Sequence, residues 1–310
     1  MQKLKELPWR TIISIVVLVL FILLVVRNWD SFVESFEVLK NADLAWLAVA
    51  FVGMVLTYFA AAGGYMVVTL KKLKFFLTLL AQVAAAFANK LLPSGVGGLG
   101  LNVAYLHKNK YTPAEATTVT AVNSLAAFVS FSLLFITALL IGGTSGDITM
   151  PNIPPVALAT IPLLLLAAFI LVYRNKKIHE KIAKFFREMV ATVMTYKNQP
   201  LRLLGAVVMA TLVTLAYLLA LYASARSVGV TVSFTEVFLT YVLGAVATAA
   251  IPTPGGLGAA EAALYAGFVS FGVPPTQALS AVLAYRFLTY WLPILPGYLS
   301  FQYLQSRKLL

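Results

Sequence analysis

Pro252-Thr253-Pro254-Gly255-Gly256-Leu257-Gly258-Ala259-Ala260-Glu261 lies between two apolar runs, and Glu261 is the only carboxylate flanked closely on both sides by such sequence. Proline removes an amide hydrogen and glycine loosens the backbone, so this stretch breaks a helix inside an apolar region. A second copy lies upstream. Leu92-Pro93-Ser94-Gly95-Val96-Gly97-Gly98-Leu99-Gly100 follows another apolar helix-forming run and repeats the Gly-Gly-Leu-Gly core.

The surrounding composition says which solvent these breaks meet. Of 310 residues, 61% are hydrophobic and 11% charged, with a mean hydropathy of +0.90. Soluble domains carry about 25% charged residues, so the chain is expected to be a polytopic membrane protein. At roughly 20 residues per span, 1–310 reads as a single membrane domain. The net charge of +12 does not point to nucleic acid, because the lysines and arginines sit in short loops between apolar runs. There they set topology and meet anionic lipid. Zero cysteines exclude disulfides and thiolate chemistry. With His107 and His179 both in basic loops, neither a metal site nor a cofactor is expected.

Outward from the two breaks, the chain divides as follows. Thr11–Val26 is a predicted first span with Trp9 and Trp29 as interfacial anchors, and the acidic stretch to Asp43 follows outside; together they make up 1–43. A span over 44–70, interrupted by Gly63-Gly64, ends in basic Lys71-Lys72-Leu73-Lys74 on the cytoplasmic side. From Phe75 to Leu106 both flanks are basic, so the segment enters and leaves on one side as a re-entrant hairpin or a pair of short spans. Thr112-Pro113-Ala114-Glu115 is a capping box that opens a span to about Ile141, closing a first repeat, 44–141. The stretch 142–202 holds an outer loop, a return span over 156–173 and a basic segment, 174–202. That segment reads as an amphipathic helix on anionic inner-leaflet lipid or, alternatively, as a solvated linker. The second repeat, 203–304, has a span over 203–225, a Ser233–Glu236 capping box, a hairpin over 237–271 tipped by the opening motif, and a last span from Pro274 to about Gln302. Both termini are expected to be cytoplasmic, in the cell membrane.

The expected architecture is thus all-α, with about six full spans plus two broken-helix hairpins in an inverted repeat. Such hairpins mark substrate sites in transporters. Helix N-termini at a break present N–H groups and partial positive charge, which suit phosphate; these helices are expected to begin after Gly98 and Gly256. The alternative is that the glycines only let hairpin arms pack closely. Charged residues within apolar segments are Lys90, Glu261 and Arg286, and such residues are costly enough to be functional candidates. Glu261 has Arg286 or Lys90 as possible partners, a structural pair being the alternative. Lys90 has the option of snorkelling to the interface. Asn89, Asn102, Asn123, Gln82 and Tyr285 offer neutral hydrogen bonds to a headgroup or between helices.

On these motifs, together with Ala284-Tyr285-Arg286 and Trp291-Leu292-Pro293, the sequence resembles the lysylphosphatidylglycerol synthase transmembrane-region, or flippase-like, family. That family includes the membrane half of multiple peptide resistance factor, and the resemblance runs from Leu44 to Leu304. It implies a lipid translocase without the soluble synthase domain. Many relatives carry a Glu-Arg pair in the helix after the first hairpin, where this chain has Asn123-Ser124. The expected function is translocation of a phosphate-bearing lipid, whether phospholipid, aminoacyl-phosphatidylglycerol or polyprenyl-phosphate-linked. Candidate contacts are Lys90, Pro93, Gly97, Gly98, Pro252, Gly255, Gly256, Gly258, Glu261, Tyr285 and Arg286. The alternatives are an intramembrane transferase, for which no catalytic constellation is found, and a non-transporting scaffold of an envelope-synthesis complex.

Overall fold

The computed structural model describes residues 39–92, 95–145, 194–250 and 253–310, with isolated positions between 26 and 37 and between 180 and 190. The predicted spans at 11–26 and 156–173, the loop beyond Ser145 and most of the predicted amphipathic helix of 174–202 lie outside the described residues. The regular elements among those described are all helical. They are α1 (Leu44–Val68), α2 (Phe75–Leu91), α3 (Val96–Lys108), α4 (Pro113–Ser145), α5 (Pro200–Ser227), α6 (Phe234–Ala250), α7 (Ala259–Ser270), α8 (Pro275–Arg286), a π-helical turn (Phe287–Trp291) and α9 (Ile294–Ser306).

Among the described residues, four helical stretches are long and apolar enough to cross a bilayer: Leu44–Val68, Pro113–Ala138, Pro200–Ser227 and the continuous Pro275–Ser306. Their large outward side chains, such as Phe51, Leu56, Phe128, Leu133, Leu204 and Leu212, are exposed. In water this surface would be a liability, whereas hydrocarbon accepts it. By contrast α2 and α6, 17 residues each, reach about 25 Å at 1.5 Å per residue, short of a bilayer core of about 30 Å.

α1 begins where Asp43 accepts the N–H groups of Ala45 and Trp46, at 2.8 and 3.4 Å. It runs through Gly63-Gly64 as regular helix, contrary to the expected interruption, because neighbouring side chains fill the space that those glycines leave. α5 is its main neighbour. At one end the Asp43 N–H donates to Ser227 O at 2.8 Å; at the other Arg202 Nη1 donates to Val67 O at 2.9 Å and to Thr69 O at 2.6 Å. The two helices are therefore antiparallel, and the bundle has an acidic end near Asp43 and a basic end near Lys71.

Each short helix pair hangs from one of those ends. Lys71 Nζ bonds Lys110 O and Glu115 Oε2, at 2.7 and 3.0 Å, which fixes the base of α2–α3 at the basic end. The arms then run antiparallel, paired by Thr78–Tyr105 and, further from the base, by Gln82–Asn102. The expected capping box forms there: the Thr112 N–H donates to Glu115 Oε2 and the Glu115 N–H to Thr112 Oγ1. The base of α6–α7 follows α5 at the acidic end, where the Ser233–Glu236 box also forms. A buried cluster fills each end: Leu101, Tyr105, Val119 and Leu304 in one, and Leu221, Phe238, Phe268 and Val282 in the other. Between them Phe87, Tyr290, Trp291 and Ile294 pack where the tips of the two pairs converge.

Candidate functional site

The tips touch at Gly255 and Lys90. A β-carbon on Gly255 would stand 3.3 Å from Lys90 Cα and 2.5 Å from the Tyr290 ring, and Gly255 has φ +59°. Only glycine combines that left-handed backbone with so close an approach. In the other tip a β-carbon on Gly97 would fall 2.2 Å from Ala88 O, so this glycine lets α3 fold directly onto α2.

Around the contact lies a cavity of about 480 Å³ lined by Asn89, Lys90, Gly95, Tyr217, Thr248, Thr253, Gly255, Gly256, Tyr285, Arg286, Thr289 and Tyr290, among others. Lys90 is 6% exposed and does not snorkel, because it sits at the inner end of α2, away from the basic end. Its Nζ reaches Ala86 O at 3.3 Å and stands 5.6 Å from the Tyr290 ring centre. No carboxylate among the described residues pairs with it. Arg286, 9% exposed, stands 4.6 Å from the centre of the same ring. Two cations thus share one aromatic side chain, a favourable but partial substitute for water.

Glu261 accepts from Arg286 Nε at 2.7 Å with one oxygen and from the Gly258 N–H at 2.8 Å with the other. This is half a capping box, since glycine has no side chain to return the bond. Arg286 Nη2 also donates to Gly255 O at 3.3 Å. The Glu261–Arg286 pair therefore ties the turn before α7 to the last long helix. Glu261 stands behind Arg286 and is not part of the cavity wall. The π-helical turn immediately follows Arg286, where Pro293 cannot supply an amide hydrogen and the Leu292 N–H reaches back five residues to Phe287 O at 2.8 Å.

A second cavity of about 250 Å³ adjoins the first, sharing Ala86, Asn89, Gly95 and Tyr217 with it. Its wall includes Thr57, Tyr58, Gln82, Gly98, Asn102, Asn123 and Ser124, and none of its lining residues is charged. The Gln82 amide donates to Asn102 Oδ1 at 2.9 Å, and Asn89 Oδ1 accepts the Gly98 N–H at 2.6 Å, so these three amides join hairpin arms.

Of the residues singled out in the sequence, Lys90, Gly255, Gly256, Tyr285 and Arg286 come together on the first cavity, and Gly98 lines the second. Gly97 packs on Ala88, and Gly258 caps α7 with φ +80°. Pro93 and Pro252 lie outside the described residues. α3 starts at Val96 and α7 at Ala259, rather than after Gly98 and Gly256, because Gly95 and Gly258 are the left-handed or irregular caps. Tyr290, Thr289, Thr248 and Tyr217 were not anticipated. Tyr290 follows Arg286 by four residues, a spacing that could have found it; Tyr217, in mid-span on α5, carries no comparable signal.

These features define a multi-pass membrane protein with a polar, cationic interior site. The chain belongs to the family described as lysylphosphatidylglycerol synthase TM region, whose model matches residues 11–297. It is also similar to the phosphatidylglycerol lysyltransferase of Staphylococcus haemolyticus (strain JCSC1435), 35% identical over 75 residues. That match covers 24% of this chain and 9% of the relative.

Proposed function

We propose that the protein is a lipid translocase, moving a phosphate-bearing headgroup between leaflets through the two adjoining cavities while the acyl or prenyl tails stay in the bilayer. The observation that carries this reading is the buried wall holding Lys90 and Arg286, with no carboxylate among its described residues, where the two short helix pairs meet. A buried cation without a carboxylate is costly, and a phosphate oxygen is its natural counter-ion. Membership in a family of lipid-related membrane domains supports the same reading.

In this account the two halves form an inverted repeat, with α1 to α4 facing α5 to α9. The short pairs leave from opposite ends of the bundle. Corresponding sites, Asn123-Ser124 and Tyr285-Arg286, line the second and first cavities respectively. The basic end faces the cytoplasm by the positive-inside bias, and both chain termini lie on that side. With the interior negative, outward movement of one net negative charge is favoured by about 2.3 kcal/mol per 100 mV, so an anionic lipid needs no coupling ion. The reading assigns no bond-making step to the chain.

Reconstituted vesicles carrying a headgroup-labelled phospholipid test it. The wild-type protein is expected to expose inner-leaflet label to an external quencher, and Arg286→Ala and Glu261→Gln to slow that exposure. Unchanged rates in both variants would remove the site from the account.

A further inference from the structure

Charge is distributed unevenly along the proposed path. Among the described residues, the wall of the larger cavity presents Lys90 and Arg286 and no carboxylate. Glu261 pairs with Arg286 from behind at 2.7 Å, which leaves Lys90 as the one basic group of this wall without a carboxylate partner among the described residues. One such charge matches a singly ionised phosphodiester better than a doubly charged phosphomonoester.

The adjoining cavity is polar without charge. Gln82 and Asn102 occupy each other, whereas Asn123, Ser124 and Tyr58 line the space from two further helices. Amides and hydroxyls of this kind exchange hydrogen bonds with alcohol groups, being both donors and acceptors. An ammonium group would call for a carboxylate, and none among the described residues lines either cavity. The shared wall at Asn89 and Tyr217 joins the two environments end to end.

Building on the translocase reading, we infer that the two cavities form one bipartite site for a singly anionic phosphodiester lipid whose headgroup is an uncharged polyol, a glycerol or a sugar. Lys90 and Arg286 hold the phosphodiester. Asn123 and its neighbours hold the hydroxyls. Aminoacylated and other cationic headgroups are discriminated against, because their ammonium would stand beside Lys90 with nothing to neutralise it.

Binding of short-chain probes to the purified full-length protein tests this apart from transport. The probes are dihexanoyl lipids with glycerol, lysyl-glycerol, ethanolamine or choline headgroups, dihexanoyl phosphatidic acid, and a hexyl glucosyl phosphodiester. The glycerol or glucosyl phosphodiester is expected to bind at least about tenfold more tightly than the three ammonium-bearing probes, and whichever of the two is tighter distinguishes glycerol from sugar. Lys90→Gln should abolish this preference and Lys90→Arg restore much of it. Asn123→Leu should weaken the polyol probes severalfold and leave phosphatidic acid unchanged. The choline probe is the sharpest competitor, since Tyr58, Tyr65 and Tyr217 line the neutral cavity and aromatic rings attract cations. Equal or tighter binding of the lysyl-glycerol or choline probe, or indifference to Lys90→Gln, overturns the inference. Vesicle transport is scored separately. Headgroup preference without movement counts against translocation and for the bipartite site; movement of every lipid without preference does the reverse.

Discussion

The two hairpin tips solve the same problem with different chemistry. In α2–α3 the exposed start of the returning helix is capped by a neutral side chain from the other arm: Asn89 Oδ1 accepts the Gly98 N–H at 2.6 Å. In α6–α7 the cap comes from the returning helix itself, Glu261 on the Gly258 N–H at 2.8 Å, and its charge is balanced by Arg286 from a third element. The first tip is closed within its own hairpin, whereas the second is closed only when the last long helix is in place. A charged cap thus makes the second tip depend on tertiary structure, and it puts a guanidinium on the cavity wall as a consequence.

Removing Arg286 should give the largest effect. Arg286→Ala strips Glu261 of its cationic partner and Gly255 O of a donor, a loss of about 3–4 kcal/mol for a partly buried pair, read as a fall in the thermal midpoint of the purified protein and loss of translocation. Ser124→Arg makes the opposite intrusion, a cation in the neutral cavity, and should cost about 2.5–3.5 kcal/mol. Adding Val103→Glu, as far beyond Gly97 as Glu261 is beyond Gly255, should recover part of that loss if the halves correspond; no recovery in the double variant would contradict the repeat. Gly255→Ala strains a left-handed backbone and presses on the Tyr290 ring, for about 1–3 kcal/mol. Asn89→Ala, the loss of a neutral cap, should be the mildest, about 0.5–2 kcal/mol. If Asn89→Ala proved more harmful than Arg286→Ala, the contrast between the tips would fail.

Much of this contrast was legible in the sequence. The paired Gly-Gly-Leu-Gly motifs located both tips, the Thr112–Glu115 and Ser233–Glu236 boxes located the starts of α4 and α6, and the scarcity of intramembrane charge isolated Lys90, Glu261 and Arg286. These are local signals, set by backbone geometry or by the cost of charge in hydrocarbon. What was not legible depended on which helix lies beside which. Lys90 near a helix end looked free to snorkel until the direction of α2 placed it at the centre, beside Gly255. The role of Gly53 was equally silent: a β-carbon there would stand 2.9 Å from Ala216 O, a contact that exists only because α1 and α5 pack. Gly63-Gly64, which looked like a break, is filled instead by Met209 and Asn123 from other helices.

The contrast matters for function only if the charged and neutral cavities are one path. Ala86 lies on the wall of both, and its side chain can be enlarged without altering any charge or cap. The most direct measurement is therefore the rate at which reconstituted Ala86→Trp exposes labelled headgroups to an external quencher, compared with wild type of matched thermal midpoint. The account predicts a rate near that of protein-free vesicles. A wild-type rate with the tryptophan in place would show that headgroups do not pass between the two cavities.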